Sequence, residues 1–496
     1  MGVLKFRLPP NEANRLEPDY RKAYITGLDR TPGRLAVELR NGVMTCTRES
    51  TESGRLFVPW PIEGFGMPLI GTATLAERPA PYTLAVELAR GKLNDIRNQL
   101  SDWLQLGLRS TPQLEKTLGA AQKAFVVAAT TADRAVECVQ AAQASLDAAT
   151  AAGDLLIDAY TSQILQSRLS STSRLPTHLG CVFEEPAQRA PVVLDWPGTF
   201  NMMQVSVPWA QIAASEGQYR WDILDSQLSW ARRAGMAVEV GPVVEFRYGA
   251  LPDWLSLWEG DSETIGGMVA DFVQQVVQRY RGRVPLWHLV HRPASSDILG
   301  LTEEEQIRIT ARAIQVARQA DPGAQLAIGI DRPWADWMGA SHFQLGPLHL
   351  CDYLLRADLG LSAVTIEVAP GFSPPGSHMR DLFEFSKLLD LYSLLNVPLC
   401  VWMALPSALG PDPLADPSVT VEAHQWPRSL DENLQAAWGA KWLALAVAKP
   451  FVRSVSWLQS SDATPHLYPH AGLLRADQTA KPLLSWMKLL RKETLA

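Results

Sequence analysis

The spacing of apolar and polar positions changes twice along the chain and divides it into three regions. Residues 1–80 alternate in short runs between turn residues, and Asn41-Gly42 separates two such runs, as in a tight hairpin. This pattern predicts a small antiparallel β domain. In residues 81–172 apolar positions recur every three or four residues in an alanine-rich background, which predicts one or two long helices forming a helical hairpin.

Residues 173–496 alternate short apolar runs with amphipathic stretches, which indicates βα units around a parallel sheet. Eight such runs occur, and eight is the number that closes a barrel. The predicted fold class is therefore α/β, a (β/α)8 TIM barrel preceded by the small β domain and the helical hairpin. The predicted strands are 178–183, 201–208, 236–246, 284–290, 324–330, 362–368, 397–403 and 452–458.

Two interpretations stay open for each N-terminal region. The β domain is either a carbohydrate-binding module that uses Trp60 or a structural cap on the rest of the chain, and we favour the cap. The small residues of the helical hairpin permit close packing of helices, either within the chain or with a second copy in a homo-oligomer. Internal packing is our default.

Composition excludes several classes of partner. The formal net charge is −7 and the pI about 5.8, so no basic surface is expected for nucleic acid or an anionic membrane. No run of 18 uncharged apolar residues occurs, and the first residues do not resemble a signal peptide, which predicts a cytoplasmic protein. The five cysteines have no metal-binding spacing, so we expect reduced thiols, no metal site and no cofactor.

One stretch carries a resemblance that organises the third region. The run WHLVHR at 287–292 ends a predicted strand. Much later in the chain, the closing segment PHAGLLRADQTAKPLLSW begins at residue 469. Together with Trp209, Gly241, Pro252 and Trp254, these motifs resemble the xylanase-like glycoside hydrolase family 10, in a divergent form of planctomycete type. The resemblance implies a (β/α)8 barrel that acts on glycans.

Both catalytic positions of that family are expected to differ here. The family strand reads Trp-Asp-Val-Val-Asn-Glu and ends in the general acid/base, where this chain has Arg292. The family nucleophile is a Glu at the end of strand seven, where this chain has Met403. The family activity therefore cannot be transferred residue by residue, and any catalysis requires other carboxylates.

Barrel chemistry takes place at the carboxyl ends of the strands, where few acidic residues fall. Glu367 and Glu245 follow strands three apart, as the family pair does, and they form our predicted catalytic pair at the separation of about 5 to 10 Å that glycosidases use. The alternative is that arginines neutralise them for packing, or that Glu239 points inward in place of Glu245. The acidic residues considered are Glu184, Glu185, Glu245, Asp331, Glu367 and Asp462.

Polar and aromatic residues near the strand ends are candidates for sugar binding. Strict alternation along the strand places His288 and Arg292 on one face and His291 on the other, so the two histidines would not ligate one metal ion. A core role for His288 is equally compatible with its position. Tryptophan rings stack on sugar rings. The predicted substrate-binding residues are Trp209, His288, Arg292, Trp334, Arg380, Trp457 and Asp462.

Two functions follow from these observations. The first is a glycoside hydrolase that cleaves a β-linked oligosaccharide or polysaccharide with non-standard carboxylates. The second is a catalytically inactive relative that binds carbohydrate or mediates assembly through the helical hairpin.

Overall fold

The computed structural model describes residues 1–9, 17–27, 30–183, 195–295, 297–374 and 376–496. Its first part is rich in β-structure and forms two four-stranded sheets, in the orders β4-β5-β1-β8 and β3-β2-β6-β7. Asn41 and Gly42 both have positive φ and turn the chain between β4 and β5, as the sequence predicts. The elements are β1 Gly2–Arg7, α1 Glu17–Tyr20, β2 Tyr24–Thr26, β3 Pro32–Gly33, β4 Ala36–Arg40, β5 Val43–Arg48, β6 Arg55–Pro59, β7 Leu69–Gly71 and β8 Tyr82–Thr83.

Three helices follow, one more than expected. They are α2 Leu84–Gln105, α3 Pro112–Thr130 and α4 Ala135–Ser171. The extra break has local causes, because Gly107 adopts a φ of +97° after α2 and Pro112 begins α3 behind the N-cap Thr111. Helix α4 packs against α2 and α3 through a face of small residues that includes Ala149 and Ala152.

A closed barrel of parallel strands forms the third part, which confirms the predicted fold. The strands are hydrogen-bonded in chain order, and the last pairs with the first to close the ring. Barrel strands one to eight are β9 His178–Phe183, β10 Met202–Val205, β11 Ala237–Val240 with its extension β12 Val244–Glu245, β13 Leu286–His291, β14 Gln325–Ile330, β15 Ala363–Val368, β17 Leu399–Met403 and β19 Val452–Trp457. A small antiparallel pair, β16 Phe372–Ser373 and β18 Thr420–Val421, joins two of the loops.

Amphipathic helices surround the barrel. In α9 a capping box between Thr302 and Glu305 begins the helix, and Ile309, Ala313 and Ala317 lie buried on one side of it. The helices are α5 Trp196–Thr199, α6 Trp209–Ile212, α7 Asp222–Arg233, α8 Ser262–Arg279, α9 Glu303–Ala320, α10 Pro347–Arg356, α11 Leu382–Ser393, α12 Glu432–Ala448 and α13 Pro482–Thr494, with 3-10 turns at Asp253–Trp258, Asp336–Ala340 and Ala423–Gln425. Within the described ranges, we find no helix with the length and apolar character needed to span a bilayer.

The N-terminal regions pack directly on the barrel. Lys92 of α2 forms a buried ion pair with Asp381, the N-cap of α11, and α4 contacts both α11 and α12. Trp60 is 2% exposed and donates its indole N–H to Gln143 at 2.8 Å, so no ring face is open to a sugar. The use of Trp60 as a binding platform is therefore wrong.

Candidate active site

A β-bulge shapes β13, the strand that precedes Arg292. The register of β13 against β14 shifts between His288 and Val290, which adds one residue to β13 and reverses the alternation beyond it. The rings of His288 and His291 both lie against Trp402 inside the barrel, with centroids 4.9 and 5.2 Å away. The prediction that the two histidines face opposite sides is therefore wrong, because strict alternation does not hold across a bulge.

Arg292 joins three carboxylates at the mouth of the barrel. Its backbone has a φ of +62° and its side chain is 3% exposed. The guanidinium Nε lies 3.0 Å from Glu245, Nη2 donates to Glu367 at 2.9 and 3.1 Å, and Nη1 lies 3.7 Å from Asp331. The planar fork of arginine suits such multiple contacts. One side chain thus links the ends of barrel strands three, five and six.

Glu367 is buried and fully engaged by donors. His291 lies 2.6 Å from it through Nε2, and the Tyr468 hydroxyl donates a short hydrogen bond to the same carboxylate. Burial raises the pKa of Glu367, but Arg292 and His291 outweigh it and hold the pKa below its usual value. Burial, followed by the charge of Glu367, raises the pKa of Tyr468. Glu367 is therefore an ionised carboxylate that is almost completely buried.

Glu245 is the more accessible of the two predicted catalytic residues. Its side chain is 17% exposed, and Arg247 donates to it through Nε at 2.9 Å. Burial raises the pKa of Glu245, but Arg247 and then Arg292 overcome this effect and lower it to about 2. Arg247 also lies 3.3 Å from Asp416 in the loop after strand seven. Glu245 is thus ionised at neutral pH and borders open space.

A cleft of about 870 Å³ lies over this side of the barrel mouth. We call it the mouth cleft. Its volume falls within the range of roughly 300 to 1,000 Å³ that is typical of ligand sites. It is formed by the residues after strands two and three and by the loops after strands seven and eight. The lining includes Trp209, Arg220, Gln227, Glu245, Arg247, Asp416 and His466.

Part of the barrel is similar to known proteins. Residues 199–329, which include strands two to four, most of strand five and Arg292, match the model of glycosyl hydrolase family 10. This part of the barrel is similar to that family. Endo-1,4-beta-xylanase B of Humicola insolens is 31% identical over 119 residues, which are 24% of this chain and 32% of that protein. Endo-1,4-beta-xylanase 3 of Hypocrea jecorina is 27% identical over 130 residues, which are 25% and 36% of the two chains.

The chain spans about a third of the length of these curated relatives. Among solved structures, native xylanase 10B of Thermotoga maritima superposes with a TM-score of 0.49 at 15% identity, over 67% of this chain and 97% of that one.

Of the predicted binding residues, Trp209 lines the mouth cleft and Arg292 lies beside it. Trp209 is 2% exposed and stacks on Phe272 with centroids 4.5 Å apart, so one ring face is already covered. His288 lies deeper inside the barrel than Arg292. Its Nε2 is 3.2 Å from Glu239 and its Nδ1 is 2.7 Å from Thr365. His288 therefore has its hydrogen-bond partners within the barrel.

Trp457 and Asp462 belong to the packing around strand eight. Trp457 is completely buried and donates its indole N–H to the Ala471 carbonyl at 2.7 Å. Asp462 pairs with the Lys481 ammonium at 2.5 Å and accepts from the Gly472 amide at 2.7 Å. Neither residue lines the mouth cleft.

Trp334 and Arg380 lie outside the barrel mouth. Arg380 is 1% exposed, donates to the Tyr24 hydroxyl at 3.0 Å and lies 3.5 Å from Asp336. Its guanidinium lies 5.6 Å from the Trp334 ring centroid. Both residues therefore sit where the N-terminal β-structure meets the barrel, and the structure does not bring them to Glu245. Glu184 and Glu185 fall outside the described residues.

Two clusters combine carboxylates with other metal-ligating groups. Glu239, His288 and Cys400 lie together inside the barrel, and Asp412, Asp462 and His466 lie near the loops. Burial raises the pKa of Glu239, but hydrogen bonds from His178 and His288 lower it below its usual value. The ammonium of Lys481 already neutralises Asp462. Hydrogen bonds and ion pairs account for the charges of both clusters.

Sequence reasoning missed Tyr468 and Asp416. Both lie in loops after strands seven and eight, in stretches rich in proline. The feature of the sequence that could have identified them is their position in these loops, because loops at the carboxyl ends of barrel strands supply most of the site residues of this fold. Their partners, Glu367 and Arg247, come from other strands and cannot be read from local spacing.

Proposed function

We propose that this protein is a glycan-active glycoside hydrolase that acts on a β-linked oligosaccharide or polysaccharide in the mouth cleft. The observation that carries the proposal is the position of Glu245, an ionised carboxylate that borders a ligand-sized cleft at the carboxyl end of a family 10-like barrel. Glu367 contacts the same guanidinium of Arg292, so the two acids are near neighbours at the barrel mouth. The named relatives are endo-1,4-beta-xylanases, which makes β-1,4-linked xylo-oligosaccharides the first substrates to test.

The electrostatics support different roles for the two acids. Glu245 is ionised and accessible, which suits a nucleophile or a base. Glu367 is ionised and enclosed, which suits stabilisation of positive charge as the glycosidic bond breaks. Neither has the raised pKa of a general acid. We therefore expect the leaving group to take its proton from water and the turnover to be slow.

A second candidate function is carbohydrate binding without hydrolysis. The observation that favours it is the contact of Arg292 with Glu245, Glu367 and Asp331, which neutralises the acids that a two-carboxylate mechanism needs. By resemblance, Arg292 and Met403 take the two catalytic positions of the family, which also favours this candidate. In that case the mouth cleft would hold a sugar chain without cleaving it.

Further features of the proposal concern location and assembly. A cytoplasmic location agrees with five cysteines that are buried and free of disulfide bonds. The division of the chain at residues 80 and 172 and a homo-oligomer through the helical hairpin both stay predictions. Nucleic acid and membranes are not expected as partners.

Turnover and binding of matched variants test the proposal. We would measure the release of reducing sugar from xylo- and cello-oligosaccharides by the native protein and by Glu245→Gln and Glu367→Gln. Glu263→Gln is the control, because Glu263 is 86% exposed on α8, far from the cleft. Circular dichroism establishes that each variant is folded.

We expect Glu245→Gln to lower turnover at least about 100-fold and Glu263→Gln to leave it unchanged. Equal turnover in all variants would reject the Glu245–Glu367 pair. Binding of oligosaccharides, followed by tryptophan fluorescence, without any turnover would select the second candidate. Absence of both binding and turnover would reject both functions.

A further inference from the structure

A second cleft lies between the N-terminal β-structure and the outer side of the barrel. We call it the interdomain cavity, and its volume is about 430 Å³. Strands β2 and β6, helices α2 and α11, and the segment after β14 form its walls. It shares no lining residue with the mouth cleft. Any ligand bound there would therefore contact both the N-terminal regions and the barrel without touching Glu245.

One wall of the interdomain cavity is a network of four charged side chains. Arg55 donates to both oxygens of Asp95, at 3.2 and 2.5 Å. Lys387 donates to Asp95 at 3.0 Å and to Glu384 at 3.1 Å. Two cations thus face two anions, and the side chains are only 12 to 25% exposed. The network has hydrogen-bond donors and acceptors but no net charge.

The charges persist at neutral pH. Burial raises the pKa of Glu384, but Lys387 and then Arg55 lower it to about 2. Burial likewise raises the pKa of Asp95, and Lys387 and Arg55 hold it below its usual value. This wall therefore offers no net electrostatic attraction to an anionic or a cationic ligand. A neutral ligand with several hydroxyl groups would meet only donors and acceptors.

The remaining walls supply aromatic rings and amides. Tyr24 stacks on Phe57 with centroids 4.9 Å apart, and Trp334, on the segment after β14, also lines the cavity. The indole Nε1 of Trp334 is buried and has no hydrogen-bond partner among the described residues. Asn98 and Gln99 of α2 add amide groups. Aromatic side chains combined with a few fixed polar groups are the usual lining of a small-ligand site.

We propose that the interdomain cavity is a second carbohydrate site, which binds a neutral monosaccharide or disaccharide. The volume is near the lower end of the range of about 300 to 1,000 Å³ for ligand sites, which suits one or two sugar rings better than a longer chain. Because the ligand contacts both sides of the domain junction, its binding stabilises the docked arrangement of the two regions. The proposal does not depend on hydrolysis at the mouth cleft.

Blocking substitutions on α2 test this site. Asn98→Trp and Gln99→Trp place a bulky ring at the cavity, and Asn94→Trp is the matched control because Asn94 is exposed on the same helix but does not line it. Xylose, glucose, xylobiose and cellobiose serve as neutral probes, and glucuronate and glucosamine serve as charged probes. Calorimetry would be performed with xylohexaose in excess, because that chain exceeds the cavity and competes for the mouth cleft. Thermal unfolding establishes that each variant is folded.

We expect at least one neutral sugar to bind the native protein and Asn94→Trp with equal affinity, and Asn98→Trp and Gln99→Trp to weaken that affinity at least tenfold. The proposal is overturned if the blocking variants bind the neutral sugars as the native protein does, if only the charged probes bind, or if no probe binds. Failure of turnover in the Glu245→Gln experiment leaves these outcomes unchanged, so the two proposals fail separately.

Discussion

Substitution of Arg292 by methionine tests the electrostatic account of the barrel mouth. The side chain contacts Glu245, Glu367 and Asp331, and its removal leaves these buried carboxylates with fewer cations. For Glu245 alone, a pKa lowered from 4.5 to about 2 corresponds to about 3 kcal/mol of folding free energy at neutral pH. In the variant, Arg247 still stabilises the charge of Glu245 and so retains part of this free energy. The lost contacts of Arg292 with Glu367 and Asp331 destabilise the variant further. We expect Arg292→Met to lower the free energy of unfolding by about 3 to 5 kcal/mol at pH 7.

The pH dependence of that loss follows from the direction of the pKa shifts. In the native protein the folded-state pKa of Glu245 lies below its unfolded value, so its stabilisation is present above about pH 4.5 and is lost as the pH falls towards 2. In Arg292→Met burial is less compensated and raises the pKa of Glu367 and Glu245, so the variant loses stability as the pH rises through the raised pKa. The difference between the two proteins is therefore largest at pH 7 and smaller at pH 3.5.

Urea unfolding followed by tryptophan fluorescence at pH 7, 5 and 3.5 measures this difference. Arg312→Met is the control, because Arg312 pairs with Glu263 at the surface and its loss should cost less than about 0.5 kcal/mol. A loss below about 1 kcal/mol for Arg292→Met at pH 7 would refute the reasoning, and so would a loss that is the same at all three pH values.

Three further substitutions probe other contacts by the same unfolding measurement. Tyr468→Phe removes the hydroxyl that donates to Glu367 and should cost about 1 to 3 kcal/mol; an unchanged unfolding midpoint would show that this hydrogen bond contributes nothing. Lys92→Met leaves Asp381 buried and unpaired between α2 and the barrel and should cost about 3 to 5 kcal/mol, whereas a gain in stability would contradict it. Thr302→Ala removes the N-cap of α9 and should cost about 1 kcal/mol, restored in part by Thr302→Asp; a neutral alanine variant would argue against the capping box.

The fold could be predicted because the barrel strands are short apolar runs whose order alone determines their neighbours. Buried on both faces, strands such as Ala363–Val368 appear in the sequence as continuous hydrophobic segments. The turn at Asn41-Gly42 was equally clear, because its positive φ angles demand residues of that type. These features depend on local chemistry, which a single sequence contains.

The site was less predictable because its contacts depend on long-range geometry. The bulge between His288 and Val290 has no glycine or proline to mark it, and it moves His291 to the inside of the barrel. Arg380 follows a strand as a binding residue would, but the docking of the N-terminal β-structure places Tyr24 against it. In both cases the deciding neighbour is more than 70 residues away in the chain.

The polar residues of the barrel mouth explain one another. A buried guanidinium is tolerated only where acids compensate it, and Glu245, Glu367 and Asp331 provide that compensation for Arg292. Conversely, three acids this close together would repel one another without a cation between them, and their pKa values would rise. Replacement of Arg292 by glutamate would therefore add a fourth acid and remove a cation. Such a change would consequently require a further change at Glu367, which couples the residue that follows strand four to the residue on strand six.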